Sequence, residues 1–159
     1  MTLKQYIIKQ LIEIKQVMER TMNGLKNEDL TSHEPCNHWP IAWNIQHCCG
    51  GIDLLLYKHI TGGLFLEHDV DRIAYPFKFE PKPNDSYPPL TELETRWTSL
   101  MDSTINAILK LEDEEFDESL INKCYTAISH TNLHLRGIWC ILGERRVDEK
   151  WPIEDTCML

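Results

Sequence analysis

The sequence lacks any run of apolar residues long enough to cross a bilayer, which takes about 20 of them in a helix. It also lacks a surplus of basic residues, because 16 Lys and Arg stand against 25 Asp and Glu and the net charge is −9. Nucleic acids and anionic membranes bind clustered Lys and Arg, so neither is an expected partner. The amphipathic first residues lack the apolar core of a signal peptide, and we therefore expect a cytoplasmic protein.

Cysteine pairs of the CxxC type are absent as well, although the chain contains six cysteines. A zinc knuckle built on thiolates is therefore not expected. A disulfide framework is not expected either, because the chain is not small and Cys48 and Cys49 are adjacent. We expect reduced and mostly buried thiols.

What the sequence does contain is four long stretches with the apolar spacing of helices. Apolar residues recur every three or four positions in segments of about 2–25, 40–61, 90–111 and 120–145. With 159 residues, of which 42% are hydrophobic, the chain is long enough for one domain with a real core. We predict that this domain spans residues 1–159, and that its fold is all-α, a four-helix bundle.

The connection between the second and third helices is unusually long. The segment from Gly63 to Pro89 holds five of the eight prolines and far exceeds the usual length of about 4–6 residues. We therefore predict a long crossover between helices 2 and 3. We also predict that Thr91 caps the third helix, because Glu94 follows it at the spacing of a capping box.

Two histidines, His130 and His134, lie four residues apart in the fourth helical segment, so their side chains share one face. With this spacing a single helix can give two imidazoles to a divalent metal. The small residues Ala127 and Gly137 share that face and leave room for an ion and a ligand. The alternative is a pair of hydrogen-bonded helix histidines, although two imidazoles without partners in a core would be costly. Thr131 occupies the position of the glutamate in HExxH, so a metalloprotease is not indicated.

His47 is the third candidate ligand, because it lies midway along a second helix that is apolar on two sides. The alternative is a buried histidine with a single hydrogen bond. Three histidines on a divalent ion leave at least one position for water or substrate, which is the pattern of a catalytic site. Cys48 belongs to the other apolar stripe and is not expected to be a ligand. The histidines expected to have no special role are His33, His38, His59 and His68.

Two segments of the chain resemble the DinB-like (damage-inducible) family. The segment from Trp39 to His47 is similar to the one that opens the family's second helix, and His130 to Ile138 resembles its closing HxxxH helix. The order of the helices and the long connection also match. The resemblance implies an up-down-down-up four-helix bundle, often dimeric, and a divalent metal, most often zinc or nickel, on His47, His130 and His134.

The resemblance also implies a chemistry. Characterised members of the family resemble thiol-dependent S-transferases and isomerases, in which a small cellular thiol is activated as the thiolate. We therefore expect a metal-dependent thiol S-transferase-type enzyme that acts on a small-molecule thiol and an electrophile. Arg136 is a candidate contact for a substrate carboxylate, with a solvated surface arginine as the alternative. Two other functions stay open: a metal-dependent hydrolase and a non-catalytic stress-response binding protein of the same fold.

Overall fold

The computed structural model describes residues 1–32, 39–66 and 87–145, and this part of the chain is helical and contains no strand. The α-helices are α1 (Leu3–Asn23), α2 (Ile41–Ile52), α3 (Lys58–Thr61), α4 (Leu90–Lys110) and α5 (Glu118–Arg145). A π-helical turn, Asp53–Tyr57, joins α2 to α3 without a break in the helical backbone. The described residues therefore form four long helical segments, which confirms the predicted all-α fold. None of these helices is both long and apolar enough to span a bilayer.

The helices pack around one hydrophobic core. Helix α1 contacts α4 and α5, and α2 contacts the same two helices. Trp97 of α4 is fully buried in this core, and its indole N–H donates to the carbonyl oxygen of Lys15 on α1. The other large and fully buried side chains include Ile7, Leu11, Met18, Met22, Ile45, Leu56, Leu100 and Met101.

Contacts between the ends of the helices show their directions. Lys4 at the start of α1 donates to the carbonyl oxygen of Leu111, which directly follows α4. Further along α1, Lys15 forms an ion pair with Asp102 of α4 at 3.2 Å, so the two helices are antiparallel. Helices α2 and α5 are antiparallel as well. These directions agree with the up-down-down-up order that the family resemblance implies.

The start of α2 is anchored by the segment that precedes it. The N–H of Ile41 donates to the carbonyl oxygen of Ser32 at 3.3 Å, and the N–H of Ala42 donates to that of Leu30 at 2.9 Å. The first N–H groups of a helix have no partner within the helix, so these two bonds satisfy groups that would otherwise need water. They also hold α2 in place against the N-terminal part of the bundle.

The predicted capping box of the third long helix is wrong. Helix α4 has Pro89 as its N-cap, and no side chain of its own caps it. The N–H of Leu90 instead donates to Oδ1 of Asn27, a residue 63 positions earlier in the chain, at 3.0 Å. Thr91 and Glu94 therefore lie inside the helix, because a tertiary contact has replaced the local cap.

The end of α3 is set by a buried carboxylate and a glycine. Gly62 has φ of +80°, a left-handed conformation that glycine adopts without steric cost, so the helix ends where the sequence predicted. Asp53, the first residue of the π-helical turn, accepts hydrogen bonds from the N–H groups of Phe65 at 2.9 Å and Leu66 at 2.8 Å. The chain is thereby turned back onto the helix that it has just left.

Candidate metal centre

His47 on α2 meets His130 and His134 of α5 inside the bundle. The Nε2 atom of His130 lies 2.8 Å from Nε2 of His47 and 3.2 Å from Nε2 of His134. The three ring centroids form a triangle with sides of 4.6 Å, and the ring planes are inclined to one another by 66–69°. The three ligands predicted from the sequence are thus brought together around one point, and this cluster could hold a metal ion.

The distances from Nε2 of His130 to the other two nitrogens suit a divalent d-block ion. Two nitrogen ligands at about 2.0–2.1 Å from such an ion, with bond angles of about 90–109°, lie about 2.8–3.4 Å apart. The observed separations of 2.8 Å and 3.2 Å fall within this interval. A set of three imidazoles suits zinc and nickel, among other transition metals, so the donor chemistry also fits the expected ions.

Two of the three rings, those of His130 and His134, are held in their neutral form. Burial, together with the neighbouring His47 and His130, lowers the pKa of His134 from 6.5 to about 3. Burial also lowers the pKa of His130. Imidazole binds a metal through a neutral ring, so at neutral pH these donors need not lose an extra proton first.

Two indole rings line one side of the histidine cluster. Trp43 is stacked on His47, with ring centroids 4.6 Å apart and planes inclined by 17°. Trp39 is nearly parallel to His134, with centroids 6.3 Å apart, and it contacts Trp43 edge-on at 3.9 Å. Trp43 is buried, whereas Trp39 is 36% exposed. The stack restricts the ring of His47 and excludes water from this side.

A polar residue of the site was not predicted from the sequence. Oδ1 of Asn44 lies 2.7 Å from Nδ1 of His134. Asn44 precedes His47 by one helical turn, so its side chain projects from the same face of α2. A buried asparagine one turn from a candidate ligand is the signal that could have identified it.

The remaining candidates lie away from the cluster. Arg136 is exposed and follows His134 by two residues, which places it about 200° further round the helix; its contact with a substrate stays a prediction. Cys48 is buried and does not join the three histidines, and burial raises the pKa of its thiol well above the usual range. His59 is exposed. The histidines that lie outside the described residues are His33, His38 and His68.

Comparison with known protein families agrees with this arrangement. The family model for the DinB superfamily matches residues 10–138, a span that contains all three histidines of the cluster as well as Trp43 and Asn44. No curated protein and no solved structure matches the chain. Because the family match covers most of the chain, the protein belongs to the DinB superfamily.

Proposed function

We propose that this protein is a divalent-metal enzyme of the thiol S-transferase type, with zinc or nickel held by His47, His130 and His134. The observation that carries the proposal is the convergence of three Nε2 atoms, with separations of 2.8 Å and 3.2 Å. Three imidazoles leave at least one coordination position for a substrate. A bound divalent ion would keep its full charge of +2, because the three imidazoles are neutral, and this charge would lower the pKa of a thiol bound to it.

The residues around the cluster favour entry of a small substrate on one side. His47 is 3% exposed and His134 is 9% exposed, whereas His130 is only partly buried, so the approach lies beside His130. Trp39, which is 36% exposed and nearly parallel to the ring of His134, provides an apolar surface that suits the body of an electrophile. In the reaction the thiolate sulfur forms a bond to carbon, the leaving group departs with its electron pair, and the thiol proton passes to solvent.

Hydrolysis by an activated water is the second candidate, because the same ligands would serve it. A hydrolase normally gains about 10²–10⁴-fold from a general base. Among the described residues no carboxylate joins the three histidines. Asp53 is buried, and its two carboxylate oxygens accept hydrogen bonds from the N–H groups of Phe65 and Leu66. This carboxylate therefore has a structural role and is not placed as a general base. We therefore favour thiol transfer over hydrolysis.

The proposal includes the partners and the setting that the family resemblance implies. The partners are a small-molecule thiol and an electrophile, and the setting is a cytoplasmic homodimer. Light scattering on the purified protein tests the dimer. A non-catalytic stress-response protein with the same fold is the third candidate, and it would have no turnover with any thiol.

Metal content and thiol consumption test the proposal together. The protein is loaded with zinc or nickel, the bound metal is measured by elemental analysis, and consumption of glutathione or cysteine is followed with a halogenated nitroaromatic electrophile. We expect about one ion per chain and metal-dependent consumption of the thiol. His47→Ala should lose both, whereas the matched control His59→Ala removes an exposed histidine and should lose neither.

The chain's own thiols have to be controlled in this assay. Cys140 is exposed and would itself react with the electrophile, and Cys36 and Cys157 lie outside the described residues. All measurements therefore use a background in which these three cysteines are replaced by serine. Cys48, Cys49 and Cys124 are buried, and burial raises the pKa of both Cys49 and Cys124 to about 12, so they react slowly.

Three outcomes separate the candidate functions. A bound ion without consumption of any thiol would refute the transferase. Ester or amide hydrolysis that is lost in His134→Ala would establish the hydrolase instead. A metal-free protein whose stability is insensitive to a chelator would refute the metal site and favour the non-catalytic protein.

A further inference from the structure

The side chain of Asn44 connects one candidate ligand to the start of α2. Its Oδ1 lies 2.7 Å from Nδ1 of His134. Its Nδ2 donates to the carbonyl oxygens of Trp39 at 2.7 Å and Pro40 at 3.0 Å. Asn44 is 4% exposed, so these contacts are made with little access for water. Both ends of the carboxamide are therefore engaged in hydrogen bonds.

The two carbonyl oxygens decide which end of the carboxamide faces His134. The opposite orientation would place Oδ1 against the oxygens of Trp39 and Pro40, at distances of 2.7 Å and 3.0 Å where two acceptors repel each other. The observed orientation gives each oxygen a donor. Because Oδ1 can only accept, Nδ1 of His134 must carry the hydrogen of this bond.

A neutral imidazole with its hydrogen on Nδ1 has its lone pair on Nε2. Nε2 is the atom of His134 that faces the other two rings, 3.2 Å from Nε2 of His130. We propose that Asn44 is a positioning residue that holds His134 as the Nδ1–H tautomer, with the lone pair of Nε2 directed into the cluster. The inference rests on the proposed metal site, because it is this lone pair that would bind the ion.

The same reasoning assigns the hydrogen within the cluster. Nε2 of His134 is an acceptor, so the contact with Nε2 of His130 requires a hydrogen on His130. That N–H also faces Nε2 of His47 at 2.8 Å and is shared between the two acceptors. In the metal-free protein His134 is thus already in its ligating tautomer, whereas the ring of His130 must first change tautomer, so that its hydrogen moves from Nε2 to Nδ1.

Nitrogen NMR of the metal-free protein reads these tautomers directly. Long-range ¹⁵N–¹H correlation spectra distinguish Nδ1–H from Nε2–H rings, and a His134→Gln variant identifies the signals of that ring. We expect Nδ1–H for His134 and Nε2–H for His130 in the wild type. An Nε2–H ring at His134 would overturn the proposal, whether or not the protein binds metal. An Nδ1–H ring in a protein that binds no zinc would leave the positioning role intact and refute the proposed function.

Two substitutions at Asn44 separate positioning from general support of the fold. Asn44→Leu keeps the approximate size and removes the acceptor, so His134 should populate the other tautomer and the affinity for zinc should fall about 10–100-fold. Asn44→Asp keeps an acceptor for Nδ1–H and should retain the Nδ1–H tautomer, but its second oxygen replaces the group that donates to Trp39 and Pro40 and should lower the stability. Unchanged zinc affinity and an unchanged tautomer in Asn44→Leu would overturn the proposal.

A matched control removes a buried hydrogen-bonding group elsewhere. Thr21 is buried on α1, donates to the carbonyl oxygen of Val17 and accepts from the indole N–H of Trp139. Thr21→Val should lower the stability and leave the zinc affinity and the tautomer of His134 unchanged. If Asn44→Leu does not fold, the spectrum of the wild type still decides, because an Nε2–H ring at His134 there contradicts the proposal.

Discussion

Gly51 on α2 lies against the imidazole ring of His130 on α5. A Cβ atom at Gly51 would lie 3.2 Å from Nδ1 and 3.4 Å from Cε1 of that ring, closer than a methyl group normally packs. A glycine inside a helix costs about 0.5–1 kcal/mol relative to alanine. The space that this glycine leaves is filled by a ring that carries one of the candidate ligand atoms.

Gly51→Ala should weaken metal binding without unfolding the protein. The new methyl group displaces the ring of His130 by a few tenths of an ångström, and we expect the zinc affinity to fall about tenfold. The gain in helix propensity opposes the steric cost, so the free energy of unfolding should change by no more than about 1 kcal/mol. Competition with a coloured chelator measures the affinity, and urea unfolding of the metal-free protein measures the stability.

Gly143→Ala is the matched control for this substitution. Gly143 also lies in a helix, but a Cβ atom there would have no neighbour within 4 Å. We expect a gain in stability of about 0.5–1 kcal/mol and no change in zinc affinity. Equal zinc affinities in Gly51→Ala and the wild type would show that the position of His130 does not limit binding.

The metal-free protein should lose stability as the pH falls below neutrality. The pKa of His134 is lowered from 6.5 to about 3 in the folded chain. Between these two values the unfolded chain binds more protons than the folded chain, so the free energy of unfolding decreases as the pH falls from about 6.5 towards 3. The lowered pKa of His130 acts in the same direction. Urea unfolding at several pH values, with a chelator present, measures the slope.

His134→Gln should make this pH dependence shallower, because the substituted side chain does not titrate. His59→Gln removes an exposed histidine and should leave the slope as it is in the wild type. A slope in His134→Gln as steep as that of the wild type would mean that other groups cause the loss of stability in acid.

Asp53 should prove to be a structural residue. Asp53→Ala leaves the N–H groups of Phe65 and Leu66 without their acceptor, and we expect the free energy of unfolding to fall by about 1–3 kcal/mol. Zinc content and thiol consumption per bound ion should stay at the wild-type level. Asp113→Ala, at an exposed position between α4 and α5, should change the stability by no more than about 0.5 kcal/mol. Loss of turnover in an Asp53→Ala protein that still binds zinc would identify a catalytic carboxylate and favour the hydrolase.

Local patterns were sufficient to predict the helices and part of the site. The spacing of His130 and His134 places both rings on one face, because the periodicity of a helix depends only on positions close in sequence. The apolar surroundings of His47 made it a third candidate, and the family resemblance joined it to the other two. The four long helices begin and end within two residues of the predicted segments for the same local reason.

Contacts between distant residues could not be predicted in this way. The N–H of Leu90 at the start of α4 donates to Asn27, which is far away in the sequence. The capping box predicted from Thr91 and Glu94 was wrong because that prediction used only residues close together in the sequence. The π-helical turn at Asp53–Tyr57 was also missed, since its sequence has the same apolar spacing as the α-helix on either side. Tertiary contacts within the bundle, and not the local sequence, therefore determined both the cap of α4 and the π-helical turn.

The sequence by itself determined that the chain is helical, that one helix presents two histidines on a single face, and that a third lies on a buried helix. Only the tertiary structure decided that His47 meets His130 across 83 positions of the chain, and that Asn44 meets His134 across 90. The physical reason is that helix periodicity follows from the backbone geometry of neighbouring residues. The approach of two nitrogen atoms to 2.8 Å depends instead on how whole helices pack.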